Sequence, residues 1–257
     1  MGPLRRRLQP PLIHMNPVLR LLAVIVAVHL CVACKSSPVA ELDSADGTWT
    51  AAANMLHPPF SSWGDGGRAE GFEVDIVESA AARSGVKVEW VELPFAELLG
   101  AVESGEVDIA VSTIGITDDR KTRVAFSAPY YETQIVALVR LDSPAVNLAG
   151  LDGLVIGADR STTSYTAAKA QWPNNEIVES ATEGSTWPQM VASGVIDVFV
   201  VDASDQERLE SISGIQLRRI TEPISAEYFG VAMRKGAPEM MASVNHAVER
   251  LSPSVGQ

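Results

Sequence analysis

From Thr48 onward the chain alternates short apolar runs with helical stripes, and the joints between them are only a few residues long. That alternation admits little besides an α/β fold, because strands joined through single helices are brought side by side in parallel. Residues 48–54 read as a first strand. Residues 73–84 carry Val74, Ile76, Val77, Ala80 and Ala81 on one helical face, and Gly85 ends the stripe. Residues 86–91 read as a strand, 95–103 as a helix and 107–111 as a third strand. A second unit begins near Leu141. There, residues 151–157 read as loop and strand, and a helix starts at 160–164. Residues 187–193 form a helix ended by Gly194, and 197–201 a strand ended by Asp202. Residues 228–234 form a further strand pattern. Residues 239–251 close the series as an amphipathic helix, with Met240, Val244, Ala247, Val248 and Leu251 at helical spacing. The expectation is a pair of mainly parallel sheets.

The segment before this series reads as an address. Arg5, Arg6, Arg7 and Arg20 precede an apolar run from residue 21 to 33, which is too short to span a bilayer. A basic flank followed by such a run is the pattern of a secretory signal peptide, residues 1–33. Both cysteines of the chain, Cys31 and Cys34, lie at its end. Val-Ala-Cys followed by Lys-Ser-Ser resembles a bacterial lipobox, which implies lipidation at Cys34 and anchoring to a membrane. Residues 34–47 read as a flexible tether. The chain has a formal net charge of −12, and losing the four leader arginines makes the remainder more acidic still. That argues against nucleic acid as a partner. After Cys34 only His57 and His246 are left among the histidines and no cysteine pair exists, so no metal site and no cofactor are expected.

The run Ile116-Thr-Asp-Asp-Arg-Lys-Thr-Arg-Val-Ala-Phe-Ser-Ala-Pro-Tyr-Tyr131 carries the clearest chemical signal. Thr117 is a plausible helix N-cap. Arg120 then projects from the first turn of a short helix at the carboxyl end of a strand, where open α/β sheets place ligands. Its planar fork suits a carboxylate. A solvated arginine paired with Asp118 or Asp119 is the alternative. This run resembles the S/G-x-x-x-T-x-x-R … F-S-x-P-Y-Y segment of the family 3 extracellular solute-binding proteins, which bind amino acids and feed ABC transporters. The stretch His57-Pro-Pro-Phe60 … Glu70-Gly-Phe-Glu-Val-Asp75 is similar to that family's Y-x-P-F … x-G-F-D-x-D. Residues 98–108 and 190–202 look like its two helix-Gly-x-x-Asp-strand blocks.

The resemblance covers about residues 48–251. It implies a two-lobed periplasmic-binding-protein-like fold of type II, with two crossing hinge strands and the ligand in the interlobe cleft. Residues 48–136 and 229–257 would form lobe one, and 137–228 lobe two. A free amino acid carries an anion and a cation on one carbon, so holding it needs an opposite charge for each. Arg120 would take the carboxylate and Asp202 the ammonium. A helix cap for residues 203–209 is the alternative use of Asp202. Thr113 and Gly115 match positions that contact the ligand, and Gly115 lacks the hydroxyl often found there, leaving one bond missing or water-filled. Thr162 and Thr163 match a Gly-Thr loop at a helix start, with Ser161 in place of glycine; helix capping is the plainer use of such residues. Phe95 and Phe60 could shelve the ligand side chain, with Trp63 at the rim. Asp108 and Asp197 read as structural turn residues.

His57 stands where an aromatic is usual, and Asn54 where many members carry an aspartate. An amide donates as well as accepts, whereas a carboxylate only accepts. The expectation is therefore a neutral L-amino acid rather than lysine or arginine. The implied protein is a monomeric binding protein with a small-molecule ligand, an ABC transporter permease and a membrane anchor as partners. A cyclohexadienyl dehydratase on the same fold is the enzymatic rival, with Glu176, Glu183 or Glu227 as its acid. A ligand-sensing domain is the other.

Overall fold

The computed structural model describes residues 47–180 and 186–252. The leader, the tether, Cys34 and Glu183 lie outside the described residues.

Two sheets make up the two lobes. The first has the order β5 (Lys87–Glu92), β1 (Thr48–Ala53), β6 (Ile109–Ala110), β14 (Ala232–Met233), β7 (Ala125–Phe126). The second has the order β10 (Ile177–Ser180), β9 (Ile156–Asp159), β11 (Val198–Asp202), β8 (Tyr131–Val139), β12 (Arg218–Arg219), with β13 (Ser225–Phe229) also on β8. A small antiparallel sheet of β2 (Leu56–His57), β3 (Ser61–Trp63) and β4 (Ala69–Glu70) follows β1.

Helices cover both faces of each large sheet. In the first lobe, α1 (Phe72–Ser84) and α7 (Pro238–Leu251) share one core with Ala51 and Ala53 of β1, and Ser84 Oγ lies 2.9 Å from Ser243 Oγ between them. α2 (Phe95–Ser104) packs on Ala52, on the opposite face. The switch from Ala51 to Ala52 follows from the two-residue period of a strand. β8 divides in the same way in the second lobe. Ile135, Ala137 and Val139 face the core that takes in Ala168 of α4 (Thr163–Gln171), and Val136 and Leu138 face Trp187 and Val191 of α5 (Trp187–Ser193). α3 (Asp118–Arg123) and α6 (Gln206–Ser213) complete the helices among the described residues.

The sheets are mixed rather than mainly parallel. β1 pairs β5 and β6 in parallel, and β9 pairs β10 and β11 in parallel, where helices connect them. The pairs made by β8 and β14 are antiparallel, because those strands carry the chain across from the other lobe. The chain crosses twice. It leaves β7 in the first sheet for β8 in the second, and returns from β13 to β14. The two crossing strands pair antiparallel, Tyr131–Ile135 against Phe229–Ser225.

One expected strand is divided. Residues 228–234 do not form a single strand: β13 ends at Phe229 and β14 begins at Ala232, in different sheets. The break falls at Gly230, where a Cβ would meet Ile116 Cδ1 at 2.7 Å. The chain can turn between lobes there because no side chain stands in the way.

Candidate functional site

A cleft of about 750 Å³ opens where β1, β11, α2, α4 and α6 converge, and Asn54, His57, Phe95, Thr113, Thr162, Thr163 and Asp202 all line it. An adjoining hollow on the far side of Phe95 and Thr163 is lined by Arg120, Ser161 and Glu227.

Arg120 is 8% exposed, so it is no solvated surface arginine. Asp118, its suggested ion-pair partner, instead meets Lys121 at 3.4 Å. The Thr117 hydroxyl accepts from the Arg120 backbone N–H at 3.2 Å and caps α3, which fixes where the side chain leaves the helix. The guanidinium donates to the carbonyl of Gly115 at 2.8 Å and to that of Ser161 at 2.9 Å. Gly115 precedes α3 and Ser161 follows β9, so Arg120 joins the two lobes. The Phe95 ring lies 5.7 Å from its Cζ. Ser161 itself holds φ 71°, a left-handed conformation that a glycine adopts more easily.

Thr113 is placed by a residue that its motif does not advertise. The buried Glu73 carboxylate accepts from the backbone N–H of Thr113 at 2.6 Å and of Ser112 at 3.2 Å, and from the Ser61 hydroxyl at 2.8 Å. The Tyr130 hydroxyl donates to it as well. Ser112 and Thr113 both have positive φ, 138° and 49°, and Glu73 holds that turn. Burial pushes the Glu73 carboxyl up from its ordinary pKa, against the pull of these hydrogen bonds.

Asp202 lines the cleft and makes no side-chain bond to the short 3-10 turn that follows it, so it is not a helix cap. Its pKa is pushed well up by burial first, then by the charge of Glu227 and a hydrogen bond with it. Glu227 is the residue that motif reading did not single out. It is 5% exposed, and its Oε1 accepts from the Thr163 hydroxyl. A Cβ at Gly115 would collide with that same oxygen. The space beside Gly115, expected to be missing a bond or filled with water, is filled by Glu227. Its one sequence signal was the alternation of β13, where Glu227 and Phe229 face inward and Ala226 and Tyr228 outward.

Some of the expected residues are spent elsewhere. The Thr162 hydroxyl caps α4, accepting from Tyr165 N at 3.1 Å and donating to Asp159 O at 2.6 Å. Phe60 does not line the cleft: it packs edge-on against Tyr131 at 5.1 Å and against Phe229 at 6.1 Å, in the first lobe's core. Trp63 donates its Nε1–H to Glu92 at 2.6 Å and is only an outer neighbour of the cleft wall. Glu176 is exposed and away from the cleft. Asp108 accepts from Thr50 N and Asp197 from Val155 N, both as structural turn residues. His57 Nε2 lies 3.8 Å from Asp205 Oδ2 of the other lobe.

Four buried polar atoms at this place lack a protein hydrogen-bond partner: Asn54 Oδ1, His57 Nδ1, Asp202 Oδ1 and Glu227 Oε2. Buried polar atoms are nearly always paired, so four together mark a site built for something else. Residues 50–254 match the pattern of the bacterial extracellular solute-binding proteins, family 3. The chain belongs to this family. It is a solute-binding protein, not an enzyme. It is 28% identical over 212 residues to the L-cystine-binding protein TcyJ of Escherichia coli, covering 80% of this chain and 77% of that one. The L-arginine-binding protein of Pseudomonas aeruginosa is 30% identical over 206 residues, covering 76% of this chain and 79% of its own. Among solved structures, an ancestral amino-acid-binding protein, AncCDT-1, described as a precursor of cyclohexadienyl dehydratase, superposes with a TM-score of 0.70. It is 28% identical over 81% of this chain and 91% of its own. An ancestral arginine-binding protein bound to glutamine also gives 0.70, at 27% identity over 81% and 93%. The family is extracellular, and no helix among the described residues is long and apolar enough to cross a membrane.

Proposed function

We propose that this solute-binding protein captures an L-amino acid in the interlobe cleft and delivers it to an ABC transporter permease. The observation that carries the reading is the set of four unpartnered polar atoms around the cleft, with the buried Arg120 at its seam. Arg120 holds the ligand carboxylate and Asp202 the ammonium. The relatives named for cystine and arginine support an amino-acid ligand. A ligand that touches both lobes favours the closed form by the difference in its contacts between the two forms. Thr113 and Thr163 line the ligand's path, and Phe95 backs Arg120. The protein acts as a monomer, held to the membrane by lipid on Cys34. Mass spectrometry of membrane-extracted protein checks the anchor: a lipidated Cys34 N-terminus is expected.

A thermal-shift screen against the amino acids tests the main reading. A ligand at about 100 times its Kd adds about 2.7 kcal/mol to stability. For a chain of this size that raises Tm by about 5–10 °C. Arg120→Ala and Asp202→Ala should each weaken binding by about 2–5 kcal/mol in calorimetry while the protein stays folded, because each leaves a ligand charge unmatched. Wild-type affinity in either variant removes that residue from the site.

A further inference from the structure

The charge balance of the cleft turns on Glu227. Arg120 is the cation buried at the seam; burial lowers its pKa, and the charge of Glu227, followed by that of Asp119, opposes that shift. The other cations near the cleft are already matched. Arg208 donates to Asp205 twice, at 2.9 and 3.0 Å, and Arg160 pairs with Glu179. Glu227 thus faces Arg120 on one side and the buried Asp202 on the other, while Asp159 and Glu92 add further acid to the cleft wall. Glu227 Oε1 accepts from Thr163, while its Oε2 is buried and unpartnered. Asn54 Oδ1, 5% exposed as a residue, is a further unpartnered acceptor on the same cleft. What these atoms lack is a hydrogen-bond donor, and for the two carboxyls a positively charged donor also offsets their charge.

We propose that Glu227 and Asp202 form a two-carboxyl seat for a cation, and that Glu227 sets the specificity of the cleft for an amino acid of net positive charge, of the lysine or arginine type. The inference rests on the amino-acid-binding reading and deepens it. A neutral zwitterion offers one ammonium to two carboxyls, so one of the two must stay protonated for the buried charges to balance. A cationic amino acid supplies one further positive charge and closes the balance. The replacement of an aspartate by Asn54 points to a neutral ligand when the sequence is read alone, but Glu227 brings an acid from a different strand to the hollow that adjoins the cleft.

The seat also exchanges a proton. Asp202 faces Glu227 on β13, Asp205 on the turn after β11, Thr133 on β8 and Tyr130 just before β8; Glu227 faces Arg120 on α3 and Thr163 on α4. Burial first and Glu227 second push the Asp202 carboxyl well up, which favours its protonated form until an arriving ammonium displaces the proton.

Calorimetry of the whole protein with L-lysine, L-arginine, L-glutamine and L-alanine tests the proposal. Lysine or arginine should bind about tenfold or more tightly than glutamine and alanine. Glu227→Gln should abolish that preference, and circular dichroism checks that the variant is folded. On the wild type alone, lysine titrated in phosphate and in Tris reads proton release from the buffer dependence of the heat. Release is expected. Tighter binding of glutamine or alanine, a cation preference that survives Glu227→Gln, or no proton release overturns the seat while leaving amino-acid binding intact. Failure of all four amino acids and of the wider screen overturns the amino-acid reading itself.

Discussion

Glu73 shows how a single side chain can set the geometry of a site it does not line. Its carboxylate supplies acceptors to two backbone N–H groups in a turn of positive φ, and Thr113 reaches the cleft from that turn. Glu73→Ala leaves both donors buried without a partner, at a cost of about 2–5 kcal/mol. Urea denaturation should show that loss, and ligand affinity should fall with it. Gly115 and Glu227 form a second such unit, because one occupies the space the other leaves. Gly115→Ala should weaken binding by pushing Glu227 aside. In the background of Glu227→Ala the same change should be far milder, so a double-mutant cycle on ligand affinity is expected to be non-additive.

At the scale of elements, β9 and α5 pack through a glycine. Gly157 faces Trp187, which stacks on Phe199 with ring centres 5.2 Å apart and donates its Nε1–H to Asp159 at 2.9 Å. A Cβ at Gly157 would overlap the Trp187 ring and Ile196. Gly157→Ala should therefore destabilise the second lobe by about 1–3 kcal/mol through overpacking. A thermal melt reads that effect. Because Asp159 lines the cleft and is held by Trp187, the same variant should also bind ligand less tightly. Ligand affinity and core packing are coupled here because one helix serves both.

For the whole molecule, the lobes meet at Arg120 and again at His57, which faces Asp205 across the cleft. Burial lowers the His57 pKa from its usual 6.5, against the opposing charge of Asp205. The unfolded chain therefore takes up a proton at higher pH than the folded one does. Its contribution to folded stability is fully present above about pH 6.5 and is lost as pH falls toward the lowered value. Asp202 and Glu73, whose values are raised, act in the opposite sense, so the total curve mixes them. The difference between wild type and His57→Asn isolates the histidine. Melting temperatures from pH 7.5 to 5 should fall more steeply in the wild type than in the variant.

The order of strands and helices, the capped start of α3 with Arg120 on its first turn, and the place of Asp202 at the end of β11 were all legible along the chain. Each is written in residues close together in sequence: an apolar period, a Thr three residues before an Arg, an Asp closing an apolar run. Phe60 shows the limit of such reading, since its motif marks a turn but only packing decides that its ring joins Tyr131 and Phe229 rather than the cleft. The division of residues 228–234 between two sheets is likewise a choice of partners, made by β8 and β6 and not by local pattern. Glu227 is the sharpest case. It meets Thr163 and the bare backbone of Gly115 only because β13 pairs with β8 and the lobes come together. The sequence by itself determined which charges the site could draw on, because those follow from side-chain chemistry. Tertiary structure alone decided how many of them share one buried space, because burial and distance set whether a carboxyl keeps its proton, meets an arginine or waits for a ligand's cation.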